Sequence, residues 1–573
     1  MTPSFNLSES GWLPVRDLDT GTHREVGLRE ALVRAHRLHL ALVPGQELAV
    51  LLRVLLAAYD AAAGPADTAQ WQHARRAETL DTTRIDAYLD QWHHRLDLFD
   101  PKHPAFQNPH LTEYPRGPEV LHPSYLMSET GRNFFGRDTT GPGTPPLPAP
   151  LAARRLLVLL GYDVSSIKAA AGGGRTYGAQ VPPAADSVHV SVDGNLNLKD
   201  LLLLNLPPQP RTPGDRPVWE QATQPPATGE ARAALGRMDL WTWPARSMRL
   251  HADDNGDVTA VAWHDGTRLE GKAAERWTTQ RALDPLTAWR TTKSLGITAP
   301  ALATDQHGTI PPWTGVLLMS SHHGPAVLQH LRAACERGDI PGDTPLRLAV
   351  SDLTHGNEHR TTVACVPAAS VAIGRARLWQ GEDARRRDLL AWAAGMPEMT
   401  VRAMRHGVHA AGLPDHLAKE NLNVNPDDAA WRRLVDAVDS EPDPGLYESW
   451  RSHLLTHDLR RCMDALPPTS RNTGIKAGII AEQELRRLAG KACVLKYAAE
   501  FAAATGARPA PARPAAARGR AYTAWGESKT LPEWADDGRC LVALATLRQR
   551  MRNEEMDLEA ALTTPSQKAR TAQ

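Results

Sequence analysis

His453 and His457 lie four apart in a segment of helical apolar spacing, where positions i and i+4 share a face and two imidazoles could hold a metal. A zinc protease of that type needs a glutamate base directly after the first histidine, and Leu454 stands there instead. His457-Asp458 also matches the dipeptide of metal phosphohydrolases, which leaves open a metal-dependent phosphodiesterase built on His453, His457 and Asp458. In a chain with 23 histidines such a pair also arises by chance, as a polar helix surface. His93-His94 and His322-His323 are adjacent pairs whose side chains diverge on a helix or strand, so neither pair chelates by itself. The run "AAAGGGRTYG", Ala169 to Gly178, lacks the Gly-Lys-Ser/Thr ending of a phosphate loop. Its Gly172, Gly173 and Gly174 have no side-chain bulk, so the backbone there can approach another molecule closely, and Arg175 beside them could meet a phosphate. An ordinary surface loop accounts for the same composition.

The elements that must position these residues are set by patterning. The chain has 573 residues, more than one core usually organises, so two or more domains are expected. Lys plus Arg and Asp plus Glu balance at 65 each, so any nucleic-acid surface must be a local patch. Five scattered cysteines form no Cys-x-x-Cys, which argues against a disulfide framework and a cysteine zinc site and favours a reducing cytoplasm. The richest apolar run, Leu48 to Ala63, is broken by Arg53 and too short to span a bilayer, so no membrane partner is expected.

At the start of the chain, Trp12 and Pro14 read as an edge strand, with Pro14 tolerated where no ladder donor is needed, followed by a helix start. Leu48, Leu51, Leu52, Leu55, Leu56 and Tyr59 recur at helical spacing after the Pro44-Gly45 break. Glu129 to Pro150, rich in Gly, Pro and Thr around Phe134-Phe135, reads as a long exposed loop. "SVHVSVDGNLNL" and "DVTAVAWHDGTRLEG" alternate around Asp-Gly turns, and "LRLAVSDLTHGNEHRTTVACV" reads as two strands with a polar tip. From Gly381, segments 384–409, 426–438, 446–465 and 475–504 are amphipathic and predict a four-helix bundle. A Pro, Ala and Arg linker then precedes one more helical stretch, 540–562. The expected class is α+β: residues 1–375 form a large mixed domain with short antiparallel sheets, 376–506 the bundle, and 507–573 a linker and tail of open role.

Several of these stretches together resemble a known family. "GWLPVRDLDTGTHREVGLREAL", the Leu48 helix, "LDLFDPKHPAFQ", "GYDVSSIKAAAGGG", "LLLLNLP" and "DPLTAWR" occur in the order found in the CasA family, the large subunits of the type I-E CRISPR surveillance complex Cascade. The resemblance covers roughly residues 8 to 505. It implies a non-enzymatic cytoplasmic subunit, without cofactor, whose partners are the other Cascade subunits, a CRISPR guide RNA, double-stranded target DNA and a recruited helicase-nuclease. In such a complex base pairing reads the long sequence, and protein needs only to read a short adjacent motif and open the duplex beside it.

The resemblance carries roles onto particular residues. The motif-reading glycine loop falls on Gly172, Gly173 and Gly174 with Arg175 adjoining, and a basic residue entering the same groove falls on Lys272, with Arg268 as rival. The hairpin tip inserted as a wedge corresponds to His355, Gly356, Asn357 and Glu358. Family members usually carry amides there, and Glu358 departs from that pattern by bringing negative charge towards phosphates. The loop that meets the guide handle and the adjoining subunit aligns with Asn133, Phe134 and Phe135. Some relatives carry a cysteine-rich zinc cluster in the middle region; this sequence has none there, so no metal is expected. Arg508, Arg513, Arg518 and Arg520 of the tail could follow nucleic acid or keep a linker soluble. A scaffold that binds only protein through the bundle is the remaining alternative.

Overall fold

A computed structural model of the chain describes residues 3–111, 115–121, 145–163, 168–169, 175–176, 183–194, 197–221, 231–270, 283–291, 298–300, 325–355, 362–379, 400–413, 428–440 and 471–494. Of the tail it describes 522–525, 527–529, 531, 534, 539–540, 547, 550 and 557–563. Two compact units result, Met1–Cys493 and Val494–Gln573.

The first unit begins with β1 (Leu13–Asp17), β2 (His23–Val26) and β3 (Leu38–Leu40), with α1 (Leu28–Val33) between the last two. The strand order is β2-β1-β3, so β1 is central and the expectation of an edge strand is corrected. Pro14 is accommodated at the start of β1, where its carbonyl still accepts from Ala41 N at 2.9 Å. Trp12 is fully buried and its Nε1 donates to Leu7 O at 2.8 Å.

Helix α2 (Gln46–Ala63) is buried on nearly every side, as an all-round apolar helix must be in a large core. Arg53, which interrupts its apolar run, is buried too, as is Asp60 two turns further on. Both are paired. Arg53 donates from Nε and Nη2 to Asp284 Oδ2 at 3.0 and 2.7 Å, and from Nη1 to Ser187 Oγ at 2.8 Å. Helix α3 (Thr68–Arg76) is followed by α4 (Thr82–Trp92), α5 (Ala149–Tyr162) and α6 (Leu198–Asn205); the last three lie against α2, and α3 packs on α6. A short helix, α7 (Arg237–Trp241), closes the ring: Arg237 forks onto Asp60 at 2.7 and 2.8 Å, and Trp241 Nε1 donates to Asp284 Oδ1 at 2.8 Å.

The remaining strands form small sheets. β4 (Pro115–Arg116) and a two-stranded pair, β5 (Lys168–Ala169) and β6 (Arg175–Thr176), precede β7 (Ser187–Val192). After Asp193-Gly194 the chain enters α6, capped by Asn197, so the second arm of the expected hairpin is a helix. The leucine run that follows is helical because it packs all round. Asn205, at the end of that helix, bonds both Val190 N and Val190 O, which satisfies the outer edge of β7.

β8 (Ala231–Arg232), β9 (Arg246–Ala252), β10 (Val258–Asp265) and β11 (Arg268–Leu269) follow. The Asp265-Gly266 step does not fold back on itself: β11 pairs in parallel with β8, and β10 pairs with β9 and β4. A Cβ on Gly266 would stand 2.4 Å from Pro244 O, so the close packing of that step against the start of β9 requires glycine. β12 (Trp289–Thr291) and β13 (Thr298–Pro300) make a two-stranded pair. After α8 (Ala326–Glu336), β14 (Pro345–His355) and β15 (Thr362–Arg375) complete a sheet of order β15-β14-β7. Mixed helix and strand with short antiparallel sheets is thus the observed class.

Beyond residue 380 helix is described at 400–410, in α9 (Asp428–Ser440) and in α10 (Arg471–Val494). Trp431 of α9 donates to Ala372 O of β15 at 2.9 Å, and Gly407 lies so close to α10 that a Cβ would meet Ala477 O at 2.3 Å. The expected segment 446–465 lies outside the described residues. The tail unit holds a hairpin, β16 (Tyr522–Ala524) and β17 (Glu527–Lys529), and α11 (Leu558–Thr563). Its own core is built on Trp534, Leu547, Leu558 and Leu562. The sequence reading anticipated only helix there, because no Asn-Gly or Asp-Gly turn marks the hairpin.

Two predictions follow from this core. Removing either partner of the Arg53–Asp284 pair leaves a buried charge, so Asp284→Ala will lower unfolding free energy by about 3–5 kcal/mol in denaturant titration, whereas Arg53→Met with Asp284→Asn, which removes both charges and keeps an oxygen for Trp241 Nε1, will recover part of the loss. Burial, reinforced by the Arg53 charge, pushes His189 down to about 4, and burial likewise pushes His330 down to about 4. Each imidazole folds neutral, and the unfolded chain takes up its proton first, so stability falls as pH drops from about 6.5 towards 4. The loss at pH 5 is about 2 kcal/mol per histidine, and a neutral, shape-matched replacement such as His189→Gln will flatten the profile.

Candidate nucleic-acid interface

Strand β10 gathers the segments that carry the candidate residues. Pro115 and Arg116 of β4 pair with Ala262 and Val261, and a short helical turn, Pro118–Leu121, follows. Further along the same edge the segment returns at Leu147, which exchanges hydrogen bonds with Val258 at 2.8 and 2.9 Å. Both ends of the stretch holding Asn133, Phe134 and Phe135 are therefore rooted on one strand, although those three residues lie outside the described residues. β5 also runs beside β10. It pairs with β6 in the register Lys168↔Thr176 and Ala169↔Arg175. That pair brackets Gly172, Gly173 and Gly174, themselves outside the described residues, and puts Arg175 on the strand directly after them.

Buried charges brace the root of this region. Asp163, at the end of α5, pairs with Arg246 Nε, and Arg246 Nη1 reaches Asp265 Oδ1 at 3.3 Å. Asp265 Oδ2 accepts from Arg268 Nη2 at 2.6 Å. The chain Asp163–Arg246–Asp265–Arg268 alternates in sign and sums to zero, which is what permits four charges in a largely dry setting. The groups lie at the end of α5, the start of β9, the end of β10 and on β11, so one network fixes the segment entering β5 and the strand leading towards Lys272. Arg268, a candidate for groove contact, has its guanidinium committed to Asp265, with the buried Nε lacking an acceptor. Lys272 lies outside the described residues. The sequence reading did not identify Asp163, Arg246 or Asp265 as a network; the available signal was a set of charged residues placed inside otherwise apolar stretches.

The wedge segment is carried by the β14–β15 ribbon. β14 pairs with β7 only through Leu346–Ser351, whereas its pairing with β15 continues to His355↔Thr362. The last residues of β14 therefore extend past the three-stranded part as a two-stranded ribbon. Register shifts at Val350/Asp352 and Thr354/His355 increase its local twist. His355 ends the described part of β14, and Gly356, Asn357 and Glu358 lie outside it.

The metal candidates separate. His93 and His94 are exposed, and the His94 ring stacks on Trp92 at 6.2 Å. His322, His323, His453, His457 and Asp458 lie outside the described residues. Among the described residues no three His, Cys, Asp or Glu side chains are grouped to hold a metal ion, and no single helix is long and apolar enough to cross a membrane.

The bracing network yields an ordering of stabilities. Arg246→Ala removes the buried arginine of Asp163 while Asp265 keeps Arg268, and will cost about 3 kcal/mol, whereas Arg268→Gln leaves Asp265 with Arg246 and will cost about 1 kcal/mol, both read from denaturation midpoints. Comparison with known proteins places this architecture. The family model described as CRISPR-associated protein Cse1 matches residues 6–441. The CRISPR-associated protein CasA/Cse1 of Thermus thermophilus is 33% identical over 264 residues, which is 44% of this chain and half the length of that relative. The crystal structure of Thermobifida fusca Cse1 aligns with TM-score 0.66 at 24% identity, covering 85% of this chain and 98% of that one. A chain of a CRISPR RNA-guided surveillance complex aligns with TM-score 0.63 at 19% identity, covering 84% and 100%. A match over residues 6–441 takes in well over half of the sequence and both anchors of the candidate interface, and by it the chain belongs to the CRISPR-associated Cse1 family.

Proposed function

We propose that the chain is the large subunit of a CRISPR guide-RNA surveillance complex and works there without a hydrolytic centre of its own. It recognises a short protospacer-adjacent motif in duplex DNA, begins strand separation beside it, and offers a docking surface to a helicase-nuclease. Family membership across residues 6–441 carries this reading. The local geometry supports it in two ways. The hairpin that brackets Gly172–Gly174 lies beside β10 and the segment that holds Asn133, Phe134 and Phe135 is anchored on it at both ends, so a motif reader and a guide contact share one base. The β14–β15 ribbon supplies an extended, twisted arm for a wedge.

The chemistry follows from what each part lacks or carries. A glycine-only bend lets backbone N–H groups approach groove edges that a Cβ would hold off, with Lys272 or Arg175 answering the phosphates. Asn357 can bond to base edges as they unpair, while Glu358 limits how deeply the tip sits among phosphates. The helicase-nuclease and the other subunits supply what this chain does not, namely cleavage and the length of the guide duplex. The helix bundle proposed for residues 376–506 offers a broad helical face for those partners.

The test is duplex binding by the reconstituted complex. Gly173→Asp will weaken binding of motif-bearing duplex at least tenfold, because it adds bulk and negative charge at the point of approach. Asn357→Ala will leave initial binding in place and slow strand opening, followed by base reactivity to permanganate. Equal binding of motif-bearing and motif-scrambled duplexes by the unaltered complex would sink this reading in favour of a purely protein-binding scaffold.

A further inference from the structure

The tail unit Val494–Gln573 lies beyond the family match, which ends at residue 441, and has a core of its own. Strands β16 and β17 pair in the register Tyr522↔Lys529, Thr523↔Ser528 and Ala524↔Glu527, so only Trp525 and Gly526 connect them. Two-residue hairpin connections call for φ above zero, which Asn, Asp and Gly adopt at little cost. Trp525 stands there at φ +48°. A bulky aromatic in the left-handed region is strained, and such strain persists only where the surroundings hold it.

The surroundings do hold it. Trp525 N donates to Glu559 Oε1 of α11 at 2.6 Å, and the ring meets that of the fully buried Trp534 edge to face at 5.7 Å. The Arg539 guanidinium lies 4.9 Å from the Trp525 ring centre and 5.5 Å from that of Trp534, and it pairs with Glu527 Oε2 at 3.0 Å. With all these contacts made, Trp525 is still 38% exposed, the one exposed large hydrophobic among the described residues of the unit. A tryptophan kept only for packing is buried, as Trp534 is, and a turn kept only for folding carries Asn or Gly. A strained indole pinned at a hairpin tip and left partly in water fits neither role.

The chain that arrives at this hairpin is basic. From Phe501 to Gly526 the sequence holds four arginines, Arg508, Arg513, Arg518 and Arg520, and no Asp or Glu. Covalent geometry alone keeps the Cα of Arg520 within about 7 Å, and that of Arg518 within about 14 Å, of Tyr522 at the start of β16. Positive charge beside a fixed aromatic suits a partner that offers both phosphates and unpaired bases. A duplex keeps its bases stacked on one another, and an acidic protein has no flat ring to lay on the indole.

We propose that the hairpin tip of the tail unit, Trp525 braced by Arg539, is a stacking platform for a base of single-stranded nucleic acid. Every base has a face, so the contact is tolerant of sequence. It is separate from motif recognition and does not depend on it.

The full-length chain will be titrated, across a series of KCl concentrations, with fluorescent oligo-deoxythymidine, oligo-uridine and a duplex of equal length. Either single strand will bind more tightly than the duplex, and the tighter of the two identifies whether the unit serves DNA or RNA. Trp525→Asn suits the turn better than the native residue does, and it will weaken single-strand binding about tenfold with the salt slope unchanged, while Trp525→Phe recovers part of the loss. Arg518→Gln with Arg520→Gln will instead flatten the slope of log affinity against log salt by about 1.4. In the unaltered chain, a strand carrying 5-bromodeoxyuridine will photocrosslink to the peptide that contains Trp525, a readout that needs no variant to fold. Equal single-strand affinity of Trp525→Asn and the unaltered chain, a crosslink confined to other peptides, or a preference for duplex overturns the platform. So does Trp525-dependent binding of poly-glutamate tighter than of either strand, which would point to an acidic protein instead.

Discussion

The buried pair of Arg53 and Asp284 is the constraint on which the first unit depends. A guanidinium in the middle of an apolar helix can be tolerated only if a carboxylate reaches it, and that carboxylate comes from 231 residues further along the chain. Asp284 uses its remaining valence on Trp241 Nε1, Leu286 N and Thr287 Oγ1, so it ties α7 and the turn before β12 to α2. Arg53 reaches Ser187 as well, and thereby the first residue of β7. One ion pair therefore sets the relation of the central helix to the segments that lead into β7 and β12.

The same economy recurs at smaller scale. Asp60 and Arg237 repeat the arrangement two turns along α2, and Asp163, Arg246, Asp265 and Arg268 repeat it where β9, β10 and β11 meet. Charges buried in alternating, neutral sets specify register more than they add stability, since an apolar replacement of equal shape would often be as stable. Their value here is positional. They hold β10 and its neighbours rigid, so the segments that leave β10 begin from fixed points.

The fold satisfies its other buried cations with the same care. Lys199, also buried, donates to the carbonyls of Arg75 and Ala77 at the end of α3, where a helix terminus offers acceptors. Arg95 follows a helix end and donates to the carbonyl of Gln221.

Much of the local structure was legible in the sequence. The apolar period of Leu48 to Tyr59 gave α2, and the alternation of "LRLAVSDLTHGNEHRTTVACV" gave the β14–β15 ribbon, because each signal is repeated over several residues. The Asp-Gly turns misled. Gly194 lies at φ +98° as a turn glycine should, yet a leucine run able to bury itself all round made a helix of the next segment. Pro14 misled in the same way, since a proline near the start of a central strand costs one donor and no more. The order of motifs along the chain, read without coordinates, determined the family, because it depends only on which residues follow which. Tertiary structure alone decided that Arg53 meets Asp284, that Arg237 meets Asp60 and that Arg246 joins Asp163 to Asp265, because pairing between charges far apart in sequence is fixed by packing and leaves no periodic trace in the chain.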